Sequence, residues 1–174
     1  HGGLLRFFHG FRVKETLQAK YHFPVAALND GKAAALAELA TGHLKGVTNG
    51  AALVLGSGLG GGIIINGKLF QGSHFQAGEL TFLLPLQMEK LDPSLMQETT
   101  LSAIGLITKV NEILASLDLK DGLLAFKAIN AKKEAVYPIF ETYCRNLAIT
   151  ILNLQLSLIW KPLFLEVVFQ LSLF

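Results

Sequence analysis

The sequence predicts an α/β domain, and three observations carry that expectation. A β-rich centre of apolar runs, a glycine cluster and an Asn66-Gly67 turn lies between helical segments. The segment before it, Lys32 to Ala40, consists of strong helix formers. The second half repeats its apolar residues close to the 3.6-residue helical period. Helix, strand, helix, hairpins and then helices is the order of an α/β arrangement.

Each element has its own signal. Arg12 to Tyr21 mixes charged and apolar residues at helical spacing, and Pro24 to Leu28 reads as a short buried strand. Asn29-Asp30-Gly31 leads into the alanine-rich helix, with Asp30 near its N-terminus. Gly42 to Gly50 is a polar loop, and Ala51 to Leu55 is a second strand. Glycines follow at positions 56, 58, 60, 61 and 62, read as a turn, and then the β-branched strand Ile63-Ile64-Ile65. Asn66-Gly67 is a strong hairpin signal, with Lys68 to Phe70 as the returning strand. Thr99 to Leu114 places Leu101, Ile104, Ile107, Val110 and Ile113 along one helical face. Leu123 to Ile129 is a shorter helix, and Ala135 to Leu158 a long one with Pro138 in its first turns.

Composition narrows the function. With 174 residues, 51% hydrophobic and 16% charged, the chain can bury one core of ordinary size or two small lobes, and disorder is excluded. A formal charge of +2, with no block of like charges, leaves no footprint for nucleic acid. Cys144 is the single cysteine, so no intrachain disulfide and no cysteine-rich zinc site can form. That usage fits a reduced, cytoplasmic setting. Residues His1 to Phe8 lack the pattern of a signal peptide. Mean hydropathy is +0.45, with the excess toward the C-terminus.

Gly56-x-Gly58-x-x-Gly61 formally satisfies the dinucleotide fingerprint, with Glu79 at a suitable distance downstream. That fingerprint requires a helix after the glycines, whereas a strand and a turn follow here. A glycine turn between antiparallel strands can instead offer its backbone N–H groups to a phosphate, with Ser57 adding a hydroxyl. The alternative is a tight hairpin that binds nothing. Five glycines in seven positions exceed what a turn needs, which favours phosphate.

Three motifs stand in register: Leu28-Asn29-Asp30-Gly-Lys-Ala-Ala-Ala-Leu-Ala-Glu-Leu, then Leu55-Gly-Ser-Gly-Leu-Gly-Gly-Gly-Ile-Ile-Ile-Asn-Gly-Lys-Leu, then Gly72 to Ala77-Gly78-Glu79. In this order and spacing the chain resembles the ROK family of repressors, open reading frames and sugar kinases, from about His9 to Leu158. The resemblance implies an actin/hexokinase-like (ribonuclease H-like) ATPase fold. Residues 1–28 would end the first lobe, 29–158 would be the second lobe, and 159–174 a tail outside the family pattern.

The resemblance also implies roles. Asp30 matches the general base that takes the proton of a sugar hydroxyl as it attacks the γ-phosphorus of ATP. Without that context Asp30 would read as a helix N-cap, and Asn29 as turn chemistry. Asn29 and Glu79 match sugar-hydroxyl ligands, and Glu98, four residues before Ser102, matches a second sugar-contacting glutamate. Gly56, Ser57, Gly58, Gly60 and Gly61 match the phosphate motif facing ATP, with Mg²⁺ bridging the phosphates. Family members often form dimers.

Departures are as informative. Many members carry a histidine just after the Gly-Glu pair that binds sugar and zinc, where this chain has Phe82. With one cysteine in total, this looks like the zinc-free branch, Leu83 to Met96 replacing the metal loop, and His74 is a loop residue. Nothing before His9 resembles the family's Asp-x-Gly-Gly-Thr phosphate turn, so this chain alone is expected to be inactive. Beyond Leu158 the family continues with a strand and a glycine turn, but Ile159 to Gln170 holds no glycine. Pro162 stops a helix, and Lys161, Glu166 and Gln170 interrupt the apolar run, so no membrane span is expected. Codons for Leu158 to Leu171 can be chosen so that a shifted frame reads DLEAIVFGGGISA, which looks like the missing strand and turn. The expectation is a change of reading frame near Leu158.

Three functions are compatible with the sequence. One is an ATP-dependent, glucokinase-like hexose kinase. A second is a sugar-responsive transcriptional regulator of the same family, disfavoured by the near-neutral charge. The third is a non-catalytic sugar-binding remnant.

Overall fold

A computed structural model of the protein describes residues 10–83, 100–158 and 165–169. The described elements are α1 (Val13–Tyr21), α2 (Asp30–Thr41), β1 (Gly50–Leu55), β2 (Leu59–Ile65), β3 (Lys68–Phe70), a 3₁₀ turn (Leu80–Phe82), α3 (Ala103–Ile113), α4 (Gly122–Asn130), α5 (Tyr137–Leu158) and β4 (Leu165–Phe169). The strands form one sheet in the order β3-β2-β1-β4. β1 pairs antiparallel with β2, from Gly50 opposite Ile64 to Leu55 opposite Leu59, and parallel with β4, from Ala51 opposite Leu165 to Leu55 opposite Phe169.

The hairpin between β2 and β3 turns at Asn66 and Gly67, both left-handed with φ of 54° and 69°. That geometry matches the right-handed twist of the flanking strands and explains the Asn-Gly pair. β1 is buried along its whole length. Its Leu53 and Leu55 join Leu59 and the inner faces of α3, α4 and α5 in the main core, where Leu101, Leu106, Val110, Ile129, Val136 and Tyr143 are buried. On the opposite face Ala52 and Ile64 pack with Ala35 of α2 and with Leu44. Helices therefore cover both faces, and the sheet is the middle layer.

Local chemistry sets the helix starts. Asn29 caps α2 by accepting from the Lys32 amide at 3.1 Å, Ser102 caps α3 from Gly105 at 2.9 Å, and Asp121 caps α4 from Leu124 at 2.9 Å. Pro138 falls in the first turn of α5, where its missing N–H has no helical partner to lose.

Two expectations need correction. Pro24 to Leu28 is not a buried strand: it has no regular structure, and four of its five residues are exposed. No described strand lies beside it, and an extended segment without a ladder partner cannot settle its backbone groups as a strand does. The glycine cluster is not one long turn either. β2 begins at Leu59, so only Gly56 to Gly58 turn the chain, and positions 60, 61 and 62 lie inside the strand. None of the glycines from 56 to 62 has a positive φ, so conformational freedom is not what they supply.

Candidate functional site

Those strand glycines supply proximity. A Cβ on Gly31 would stand 2.5 Å from the Gly61 nitrogen, and one on Gly62 would stand 2.5 Å from the Ala35 Cβ. The first turns of α2 therefore lie flush on β2. Gly78, left-handed at φ 84°, also packs so closely that a Cβ there would sit 3.1 Å from the Gly61 carbonyl oxygen. One strand glycine thus seats both motifs. Asp30 precedes Gly31 and Glu79 follows Gly78, so the two carboxylates converge over the same stretch of β2.

Asn29, not Asp30, is the helix cap. Asp30 is the first helical residue and is exposed, with Oδ1 accepting only from the neighbouring Gly31 amide at 2.9 Å. The cap uses the Asn29 carbonyl oxygen and leaves its amide NH₂ for another acceptor. Glu79 is partly buried, and its Oε1 lies 3.9 Å from the Lys32 ammonium. Burial pushes the Glu79 carboxyl above its ordinary value of 4.5, Lys32 pulls it down, and Asp30 pushes it up again.

The turn Gly56-Ser57-Gly58 is held from two sides. Its Gly56 carbonyl accepts from the Ala103 amide at 2.9 Å and from the Ser102 hydroxyl at 3.4 Å, at the start of α3. Just beyond it, the Leu59 amide donates to Thr81 Oγ1 at 3.1 Å. Ser57 itself is exposed. Beside Ser102 a groove of about 590 Å³ runs between α3 and α5, lined by Leu106, Lys109, Ile139, Tyr143 and Asn146 among others. Tyr143 is fixed there by donating its hydroxyl to the Leu101 carbonyl at 3.2 Å. Burial, with a smaller push from Cys144, raises its phenol to about 12, so it stays protonated.

The structure thus brings together Asn29, Asp30 and Glu79, and places Gly56, Ser57 and Gly58 in one turn. Gly60 and Gly61, read from the sequence as phosphate ligands, stand in β2 and pack against α2. Glu98 and most of Leu83 to Met96 lie outside the described residues. Phe82 ends the 3₁₀ turn with half its surface exposed, and His74 is an exposed loop residue. Among the described residues no three His, Cys, Asp or Glu side chains cluster as metal ligands, and no helix is long and apolar enough to cross a membrane. Sequence reasoning missed Lys32 and Thr81. Lys32 is the one with a signal, a lysine inside a run of alanines two residues after the aspartate.

The chain is 42% identical over 82 residues to a beta-glucoside kinase of Listeria monocytogenes, covering 47% of this chain and 28% of the relative. It is 32% identical over 133 residues to a beta-glucoside kinase of Klebsiella pneumoniae, covering 75% of this chain and 44% of the relative. It therefore spans less than half the length of these curated relatives. The fold matches that of a ROK family glucokinase from Streptomyces griseus, solved in complex with glucose and AMPPNP, with a TM-score of 0.68 at 22% identity over 84% of this chain and 53% of the other. The sequence profile of the ROK family matches residues 5–159. The chain belongs to the ROK family, and its fold is that of the ROK sugar kinases.

Proposed function

We propose that this chain carries the second lobe of an ATP-dependent sugar kinase that transfers the γ-phosphoryl group to a hexose hydroxyl. The single observation that supports it most is the convergence of Asp30 and Glu79, from two separate motifs, on Gly61. Asp30 acts as the general base: it is exposed and free of capping duty, so it can accept the hydroxyl proton as the oxygen attacks phosphorus. Asn29 donates its side-chain NH₂ to a sugar hydroxyl, and Glu79 accepts from another. Glu98 is assigned to the sugar by the family pattern alone.

For ATP, the fit lies in the turn and the groove. The Gly56-Ser57-Gly58 turn presents backbone and one small hydroxyl with no bulky side chain in the way, which suits phosphate oxygens. Gly60 and Gly61 support this turn from within β2. The groove beside Ser102 has the size of a small-molecule site and is assigned to the nucleoside. Mg²⁺ would be held mainly through phosphate oxygens, supplying charge neutralisation when bound.

The test measures ATP-dependent phosphorylation of a hexose and β-glucoside panel by the full-length kinase, together with hexose binding by this chain. Sugar-dependent ADP release that vanishes in Asp30→Asn supports the reading. Binding with no turnover in the full-length protein would reduce the site to sugar recognition.

A further inference from the structure

Lys32 has no place in the mechanism above, yet it is the most buried charge among the described residues. Only 2% of it is exposed, although it lies in the first turn of α2, directly before a run of alanine and leucine. A buried ammonium is costly unless it is paired and hydrogen-bonded. Its Nζ donates to the Phe75 carbonyl and lies 3.9 Å from Glu79 Oε1. Both partners belong to the segment that follows β3.

That segment has the form of a closed loop. The Ala77 amide donates to the Gln71 carbonyl at 3.2 Å and ties the base, while the Glu79 amide donates to the Gln76 carbonyl at 3.1 Å. Near the tip, Phe75 is left-handed at φ 58° with 70% of its surface exposed. A bulky residue held in that backbone region, with its ring in solvent, needs something to retain it. The hydrogen bond from Lys32 turns the Phe75 carbonyl inward and supplies that restraint.

We propose that Lys32 is a positioning residue that clasps the Gln71–Ala77 loop to α2 and aims Glu79 at the space beside Asp30. One cation serves both purposes because its partners, Phe75 in the loop and Glu79 just after it, lie four residues apart. The residue also sets the charge balance there. Among the described residues the charged groups acting on Glu79 are Lys32 and Asp30, both from α2, and only Lys32 favours the carboxylate. The functional consequence rests on the reading of Glu79 as a sugar ligand; the clasp itself does not.

Three measurements on this chain decide it. Amide hydrogen exchange should accelerate at least tenfold over residues 71–80 in Lys32→Met, with β1 and β2 unchanged. The Glu79 carboxyl, followed by ¹³C NMR, should titrate at higher pH in Lys32→Met than in the wild type. Should Lys32→Met fail to fold, the wild type still answers: a clasped ammonium gives a slowly exchanging ¹⁵N signal that moves as Glu79 titrates. Unchanged exchange and an unchanged Glu79 midpoint overturn the proposal, as does a wild-type Lys32 ammonium that exchanges like that of an exposed lysine. Hexose binding by the wild-type chain is read separately, so its loss removes the sugar site without touching the clasp.

Discussion

Gly31 of α2 and Gly61 of β2 meet backbone to backbone, with no room for a methyl group between them. That contact fixes how near the Asp30 end of the helix stands to the strand that also seats Gly78. Gly31→Ala must therefore push α2 off the sheet. We expect it to destabilise the domain by about 1–3 kcal/mol, the usual range for overpacking. Gly61→Ala faces the Ala52 carbonyl oxygen at 2.6 Å and should behave alike, whereas Gly60→Ala meets nothing closer than 3.8 Å and should cost under about 1 kcal/mol. Urea unfolding of the three variants checks the ranking. Equal losses at Gly60 and Gly61 would show that strand glycine as such, and not the close contact a Cβ would make, is what matters.

Capping and the proposed catalytic role fall on adjacent residues. Asn29→Ala should cost about 1 kcal/mol of stability, because it removes the oxygen that holds the Lys32 amide. Asp30→Asn leaves that cap in place. In the full-length kinase it should lower kcat by orders of magnitude with little change in sugar affinity. Near-normal turnover in that variant would remove Asp30 from the mechanism.

How much of this was legible depends on what each signal encodes. The helical period of α3, the alanine run of α2 and the Asn66-Gly67 turn are local, so the sequence specifies them without a partner. Pro24 to Leu28 has strand-like residues, but a strand exists only beside another, and that information is not in the segment. The glycine cluster was ambiguous for a different reason. Glycine serves either a turn or a close approach, and composition does not say which; Gly61 and Gly62 serve the second. The candidate site residues Asn29, Asp30 and Glu79 stood out through motif register alone, while the pairing of Lys32 needs a loop more than forty residues away to be folded against it.

Stability should report the Glu79 carboxyl. Its folded value is raised above 4.5, burial outweighing the pull of Lys32. A raised group contributes stability fully below its unfolded value and loses it as pH rises through the folded value. Wild type should therefore lose stability relative to Glu79→Gln as pH climbs from about 4.5 through the raised midpoint. Denaturation midpoints taken across that window test it, and parallel profiles for the two proteins would contradict the assignment.

The zinc expectation has its own test. We propose that Phe82 takes the place of the metal-binding histidine that the family resemblance implies, and Cys144 is the single cysteine of the chain. Purified protein should hold no stoichiometric zinc by elemental analysis. One zinc per chain would mean that the metal loop has been misplaced.

The C-terminal segment carries the last prediction. The family profile ends at residue 159, one residue past the end of α5. After it, Leu165 to Phe169 forms β4 and pairs parallel with β1, so a strand stands beside β1 even though no glycine turn follows it in the sequence. Pairing of this kind asks little of a peptide: Leu-Glu-Val-Val-Phe is rich in β-formers, and β1 offers an edge. Strand formation therefore does not require that the peptide be the family's own. We propose that the reading frame changes near Leu158 and that the shifted frame, DLEAIVFGGGISA, encodes the strand and glycine turn that belong there. Sequencing the encoding DNA and its flanks checks this directly. A chain rebuilt in the shifted frame should gain nucleotide affinity over the present one, measured with an ATP analogue. If the bases after Leu158 yield no glycine-rich peptide in any other frame, the proposal is dead.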